Sequence, residues 1–251
     1  MEQCLPPDGI RIIGVLESCF QEKFGTPRQP QLVPGAYAKL KIKPEYHPEH
    51  SLCGLSGFSH VWLLFWFHLA TNKSFRPKIH PPRLKGGKMG IFATRSPHRP
   101  NPIGLSLAKL EKIEGDTIFL SGIDLVNGTP VLDVKPYLPL WDGAENARTG
   151  WAEENVFPEL EVEFTEKAEE DIKETGDVSL RSLISDTLRQ DPRNRRDRSQ
   201  MGENHELGFF ISNHDIHFSV RGGKATVISV ETGKTFVKKF RRGKNSLKDS
   251  K

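Results

Sequence analysis

The chain has 251 residues, 36% of them hydrophobic and 27% charged, and its 22 glycines and 18 prolines make up about 16% of the total against a usual 12%. This composition excludes a wholly disordered chain and a helical bundle, and it favours many short elements joined by turns. The three cysteines form no CxxC pair, so we expect neither a disulfide framework nor a thiolate zinc site, but a reducing compartment.

The amino terminus, MEQCLPPDG, has no charged leader followed by an apolar core, so we expect no secretory signal and a cytoplasmic location. The longest apolar run, 61–67, is far shorter than the ~20 residues that cross a bilayer, and we expect no membrane association. It is typical of a strand buried on both faces.

Runs of strand length recur in the first two thirds of the chain, without helices between them. They are residues 10–16, 36–42, 61–68, 90–93, 105–113, 117–125 and 131–134. This pattern predicts a mainly β protein whose antiparallel sheet closes into a barrel. Asn127-Gly128 predicts a type I′ hairpin between its flanking strands, and Gly115-Asp116 predicts a second reversal. The proline- and glycine-rich residues 69–89 are expected to form a long loop.

The last third of the chain has a different composition. Residues 160–164 can add a strand, after which 166–175 and 179–190 are predicted helices, the second with apolar residues at i, i+3, i+4 and i+8. Strands follow at 208–211, 216–220 and 224–230. We therefore expect a β-barrel domain at 8–164, a small α+β domain at 165–235 and a basic, disordered tail at 236–251.

Charge is segregated along the chain. Residues 71–99 contain eight Lys and Arg and no acidic residue, whereas 153–177 contain eleven acidic residues and two Lys. A basic patch of this kind suits a polyanion such as RNA, because each neutralised phosphate releases counterions. A solvated surface gives the same pattern.

The segment GIFATRSPHRPNPIG, residues 90–104, places Arg95 and Arg99 four residues apart in a loop fixed by Pro97, Pro100 and Pro102. Proline restricts the backbone, and a preorganised guanidinium group suits a carboxylate or phosphate. The alternative is a rigid basic turn with both arginines in solvent. Asp133 and Lys135 lie on one face of a strand, where they can serve a ligand or pair with each other.

His68 closes an apolar strand, where a histidine is more often part of the core than a ligand. No HxxxH or HxH pattern groups the nine histidines, so we predict no metal site. The phosphate-binding P-loop, the dinucleotide fingerprint GxGxxG and the hydrolase motif GxSxG are all absent.

Four blocks of the sequence together resemble the TsaA-like, or TrmO, family of tRNA methyltransferases. The blocks are EKFGTPRQPQLV (22–33), RPKIHPPRL (76–84), GIFATRSPHRPNPIG (90–104) and DLVNGTPVLDVKPYLP (124–139). The C-terminal unit is similar through residues 188–193. The resemblance implies a β-barrel methyltransferase that uses S-adenosylmethionine and forms a homodimer with its active sites near the subunit interface. The implied substrate is the anticodon arm of a tRNA carrying N(6)-threonylcarbamoyladenosine, methylated on that exocyclic nitrogen.

The resemblance also implies site residues. The implied cofactor contacts are Pro30, Gln31, Leu32, His68, Leu69, Arg95, Leu107, Asp133, Val134, Lys135 and Pro136. We expect Arg95 to grip a carboxylate of the donor or substrate, Asp133 to orient a proton or hold the cofactor, and Asn101 to orient the base edge or brace its loop. The expected substrate contacts are Arg76, Arg83, Arg99 and Arg193, with Phe75, Phe92 and Trp141 as stacking candidates, although Phe92 suits the core at least as well.

Two other functions compete with this one. A non-enzymatic RNA-binding barrel would bind tRNA in a salt-sensitive manner without transferring a methyl group. A protein-interaction scaffold would use the acidic helix 166–175 to hold a partner.

Overall fold

The structure is a computed structural model that describes residues 6–70, 75–82, 84, 86–153, 159–193, 198 and 205–233. Strands are β1 Gly14–Ser18, β2 Tyr37–Ile42, β3 His60–Trp66, β4 Lys78–Ile79, β5 Met89–Gly90, β6 Ile103–Glu114, β7 Thr117–Ser121, β8 Thr129–Pro136, β9 Glu161–Phe164, β10 Leu207–Ile211, β11 His214–Arg221 and β12 Lys224–Thr232. Helices are α1 Pro48–Ser51, α2 Pro139–Asp142, α3 Glu166–Thr175 and α4 Leu180–Arg189.

Six strands close into an antiparallel barrel in the order β1-β2-β7-β6-β3-β8. The predicted antiparallel β-barrel is therefore confirmed. Side chains alternate between the two faces of each strand, and Leu16, Leu40, Leu63, Ile118 and Val131 fill the interior without solvent exposure. A barrel of this size has room inside only for side chains, so ligands must bind at its ends or on its outer surface.

The predicted hairpin at Asn127-Gly128 is wrong, because β7 and β8 are not neighbours in the barrel. Only Gly128 has the positive φ that a type I′ turn needs at both positions. The pair instead docks on the end of β1: the Asn127 N–H donates to Phe20 O, the Gly128 N–H donates to Leu16 O, and Asn127 Oδ1 accepts from Ser18 N. A tertiary contact has overridden the local turn preference.

The reversal at Gly115-Asp116 is confirmed, and it joins β6 to β7. The region 69–89 contains more structure than predicted, because β4 and β5 pair within it. The strand predicted at 90–93 is wrong beyond Gly90, since residues 91–93 form a 3-10 turn that buries Ile91.

The C-terminal unit is a four-stranded sheet, β10-β11-β12-β9, packed with α3 and α4. Thr165 caps α3 by accepting from the Ala168 N–H, and Gly176 ends this helix in the left-handed region. The predicted apolar stripe of α4 is buried. β9 runs parallel to β12, so it belongs to this second sheet, whereas the sequence placed it with the barrel.

Segment 19–28 holds the two units together. Phe20 pairs with Ile211 as an isolated bridge, and the Ser212 N–H donates to Cys19 O at 2.7 Å. Phe24 stacks on Phe218 with a centroid distance of 6.4 Å. The buried side chains of the barrel and of the second sheet form one continuous cluster. Among the described residues, no helix is long and apolar enough to cross a membrane.

Candidate active site at one end of the barrel

Three connections leave the barrel at the same end, which we call the barrel mouth. They join β1 to β2, β3 to β6 and β7 to β8. These connections carry the motif segments 22–33 and 90–104 and the start of the segment 124–139. The antiparallel order therefore brings together blocks of sequence that lie up to a hundred residues apart.

Gln31 anchors the first segment to the barrel wall. Its φ is +65°, its N–H donates to Gly122 O at 2.8 Å, and its side-chain Nε2 donates to Leu107 O at 3.3 Å. A β-carbon at Gly122 would meet the Gln31 side chain, so glycine is needed there. Pro30 and Leu32 are half-buried beside it.

Arg95 and Arg99 both lie in the proline-rich loop at the mouth. Arg95 is exposed and donates to Gln29 Oε1 at 2.7 Å, which connects this loop to the first segment. Arg99 donates to Thr94 O at 2.7 Å and so braces its own loop. Asn101 is exposed, and its carbonyl accepts from the Ile103 N–H. Neither guanidinium forms an ion pair with a carboxylate of the described residues, so both cationic groups can receive an anion.

A cavity of about 310 Å³ opens beside this loop. It is lined by Lys23, Thr26, Pro27, Arg28, Phe65, Trp66, Phe67, His68, Leu69, Ala70, Pro97, His98, Asp124, Leu125, Val126 and Thr129. Burial, with some help from Lys23, lowers the pKa of His68, which is 4% exposed. Lys23 Nζ donates to Leu69 O at 2.6 Å. The buried indole N–H of Trp66 has no hydrogen-bond partner within the described residues, so a ligand with an acceptor group would satisfy it.

Asp124 is a site residue that the sequence reasoning did not single out. It lines the cavity and accepts a hydrogen bond from the buried Ser106 hydroxyl at 2.5 Å. Burial raises the pKa of Asp124 to about 6, against the opposing effects of Ser106, its own backbone N–H and Arg95. Asp124 is the first residue of the motif segment 124–139, which also contains Asp133. Only its burial in the folded chain distinguishes Asp124 from Asp133.

The remaining predicted cofactor residues lie in β6 and β8, the two strands that flank β3. We call the outer surface of these three strands the outer wall of the barrel. Val134 does not belong to this surface, because its side chain packs against the buried core. Trp62 stands between Leu107 and Lys135, and Leu64 stands opposite Asp133. Lys135 Nζ lies 3.0 Å from Asp133 Oδ2, so these two residues pair with each other. Val134 and Pro136 are half-buried in the same strand. Within one chain, this group does not join the cavity at the mouth.

The four predicted substrate arginines are separated in the structure. Arg99 lies at the mouth, Arg76 is exposed near His98, and Arg83 lies outside the described residues. Arg193 makes a two-pronged contact with Asp191, at 2.7 and 3.0 Å, and its side chain is only 18% exposed.

The three candidate stacking residues, Phe75, Phe92 and Trp141, are exposed. Phe92 is 76% exposed and so is not part of the core. No cluster of metal-ligating side chains occurs in the parts of the chain that are described.

Comparison with known proteins agrees with this geometry. Residues 15–143 match the family model of the tRNA-methyltransferase O N-terminal domain, and residues 158–233 match that of the TrmO C-terminal domain. The chain belongs to the TrmO family. The resemblance deduced from the four sequence blocks is thereby confirmed.

Several TrmO relatives and one solved structure illustrate the match. A putative S-adenosylmethionine-dependent methyltransferase RcsF of Pseudomonas aeruginosa is 43% identical over 82% of this chain and 90% of its own length. A tRNA (adenine(37)-N6)-methyltransferase of Rattus norvegicus is 57% identical over 53% of this chain. The crystal structure of TrmO from Pseudomonas aeruginosa superposes with a TM-score of 0.74 at 38% identity, covering 90% of this chain and 99% of that one. The matched part spans about a third, 32%, of the rat relative's length.

Proposed function

We propose that this chain is an S-adenosylmethionine-dependent tRNA methyltransferase that acts on the exocyclic N6 of an adenine beside the anticodon. The observation that carries the proposal is membership of the TrmO family through both structural units. Relatives from this family are named tRNA (adenine(37)-N6)-methyltransferase or S-adenosylmethionine-dependent methyltransferase.

The residues at the barrel mouth fit the proposed cofactor. The Arg95 guanidinium suits a carboxylate, the indole N–H of Trp66 lacks an acceptor, and the aromatic rings around the cavity suit a nucleobase. The bound cofactor would supply a methyl group on a positively charged sulfur. The task of the protein is to hold the substrate nitrogen in line with that methyl group, to exclude water and to accept a proton.

The proposed substrate is adenosine that already carries an N6-threonylcarbamoyl group. The threonyl carboxylate is an anion, and Arg95 and Arg99 present guanidinium groups that form no ion pair with a carboxylate of the described residues. The cavity also receives cationic or titratable side chains from Lys23, Arg28 and His98.

We also propose a homodimer formed through the outer wall. Ile103 and Leu105 project from β6 with 40% and 54% exposure, next to half-buried Leu64. A second copy packed on this apolar surface would enclose Asp133 and Lys135 and bring them beside a mouth of the partner chain. Leu105→Arg should then give a monomer by sedimentation, whereas Leu140→Arg, at a more exposed position on α2, should not.

The function is tested by incubating the protein and S-adenosylmethionine with tRNA that carries threonylcarbamoyladenosine and with the same tRNA lacking it. We expect mass spectrometry of digested nucleosides to show one added methyl group only in the first tRNA. Methylation of both tRNAs would support the proposed methyltransferase activity and contradict the proposed substrate. Tight tRNA binding without methyl incorporation into either would favour the non-enzymatic RNA-binding barrel.

A further inference from the structure

The position of Asp124 suits a residue that contacts a ligand. It lines the cavity at the barrel mouth, and Ser106 Oγ holds its Oδ1 from the barrel interior. No other side chain of the described residues donates a hydrogen bond to this carboxylate. It is therefore oriented from behind by one buried hydroxyl and left able to accept on its cavity side.

The surroundings of Asp124 allow it to gain and lose a proton. Leu125, Val126 and Phe65 make the adjacent cavity wall apolar, which disfavours the ionised form. Arg95 provides a compensating positive charge without forming an ion pair. The other charged or titratable groups that line this cavity are Lys23 and Arg28 from segment 22–33, His68 from the end of β3 and His98 from the proline-rich loop.

We infer that Asp124 is the proton acceptor of the methyl transfer, an inference that rests on the proposed function. The exocyclic nitrogen of a carbamoylated adenine carries one hydrogen and a delocalised lone pair, so it must lose its proton to become an effective nucleophile. The nitrogen–carbon bond forms as the carbon–sulfur bond of the donor breaks. The proton passes from the nitrogen to Asp124, the thioether leaves uncharged, and water later takes the proton from Asp124.

Asp133, the carboxylate that the sequence reasoning favoured, is less suited to this role. It lies on the outer wall, its Oδ2 is 3.0 Å from Lys135 Nζ, and its Oδ1 accepts from the Val134 N–H. Both oxygens of Asp133 are therefore engaged within the chain, and Asp133 does not line the cavity. Asp124 lines the cavity and forms no ion pair with a side chain of the described residues.

The kinetic test compares Asp124→Asn with Asp116→Asn under single-turnover conditions on modified tRNA. Asp116 is a matched control because it is a carboxylate in the β6–β7 turn at the opposite end of the barrel, held by Lys41 and Thr117. Methyl transfer by Asp124→Asn should fall by about 100-fold or more, with the dissociation constant of S-adenosylmethionine changed by less than about threefold. Asp116→Asn should match the parent.

The pH profile separates proton transfer from a structural role. The parent rate should rise about tenfold per pH unit below about pH 6 and then level off, since burial raises the pKa of Asp124 to about 6. The Asp124→Asn variant should lose this slope. An active parent whose Asp124→Asn variant keeps the rate within about threefold, or keeps the slope, overturns the inference and points to His68. A parent that transfers no methyl group overturns the proposed function instead.

A second measurement needs neither cofactor nor tRNA. In the free protein labelled with ¹³C at aspartate carboxyls, the signal missing from Asp124→Asn should titrate near pH 6. Ser106→Ala should move that midpoint upward, because the lost hydroxyl stabilised the ionised form. A midpoint below about pH 4.5, close to an ordinary aspartate, contradicts the inference.

Discussion

Charged side chains have different kinds of partner in the C-terminal unit and at the barrel mouth. In the C-terminal unit, Arg181 contacts both oxygens of Glu169 at 3.0 and 3.1 Å, and Lys167 pairs with Asp171 at 2.7 Å. At the mouth, the hydrogen bonds of Arg95 and Arg99 within the described part of the chain go to neutral oxygens. Charges paired within the chain orient and stabilise the fold, whereas cationic groups held by neutral partners keep their capacity to bind an external anion.

Burial of side chains also has a different effect on stability in the two regions. The C-terminal sheet buries aromatic and aliphatic side chains, which stabilises the folded chain. The mouth buries a carboxylate, Asp124, whose raised pKa shows that its charge is disfavoured there. Local features that work against stability are characteristic of functional sites. Four substitutions, each with a control, test this difference between the two regions.

Removing a core ring of the C-terminal sheet should have the largest effect. Phe209 is 1% exposed, packs edge-on against Phe218 at 5.8 Å, and leaves no room for a β-carbon at Gly25 of the mouth segment. Phe209→Ala should lower the free energy of unfolding by about 4 kcal/mol in denaturant titrations. Val178→Ala, at a 99% exposed position, should change it by less than about 0.5 kcal/mol. Equal losses of unfolding free energy in the two variants would contradict the structural role of this sheet.

The second-largest effect is expected from breaking the buried ion pair between Asp191 and Arg193 in the C-terminal unit. Asp191 is 6% exposed and holds Arg193 through two hydrogen bonds. Asp191→Ala should lower the free energy of unfolding by about 3 kcal/mol in thermal unfolding, because it removes the buried carboxylate that both Arg193 and Arg198 contact. Asp186→Ala, which breaks a more exposed pair with Arg189, should cost less than about 1 kcal/mol. If Asp191→Ala is harmless to stability but weakens tRNA binding, Arg193 belongs with the functional charges.

At the mouth, removing the charge of Asp124 should raise the free energy of unfolding instead of lowering it. The pKa of Asp124 is raised from 3.8 to about 6 on folding, so the folded protein binds the proton more tightly than the unfolded chain. Stability should therefore be lost as the pH rises from about 4 through about 6. Asp124→Asn should be more stable than the parent at pH 7.5, by at most about 3 kcal/mol, and the difference should vanish near pH 4. A destabilised variant at pH 7.5 would make Asp124 a structural residue.

The smallest effect is on cofactor affinity. Arg95→Ala should weaken S-adenosylmethionine binding by about 10- to 100-fold in calorimetric titrations, the range for one lost charge-assisted hydrogen bond. Arg181→Ala, whose guanidinium is already paired, should bind the cofactor like the parent. Unchanged affinity in both variants would assign Arg95 to the substrate or to the bracing of its loop.

The amino-acid sequence alone predicts those elements that depend on residues close together in the chain. Strand alternation predicted the barrel strands, since one face of each must be buried, and the Thr165 and Gly176 caps set the ends of α3. The same holds for the reversal at Gly115-Asp116, where two residues suffice to turn the chain. The motif blocks also identified the family, because their residue types and order are specific.

Which of these parts come into contact depends on how the whole chain folds. Barrel closure separates β7 from β8, so Asn127-Gly128 docks on β1 instead of forming a hairpin. It places Asp133 on the outer wall and Asp124 in the cavity, although the two carboxylates lie nine residues apart in one motif. The burial, hydrogen bonds and charges around a side chain depend on contacts between distant segments, and these contacts determine which carboxylate faces the cavity.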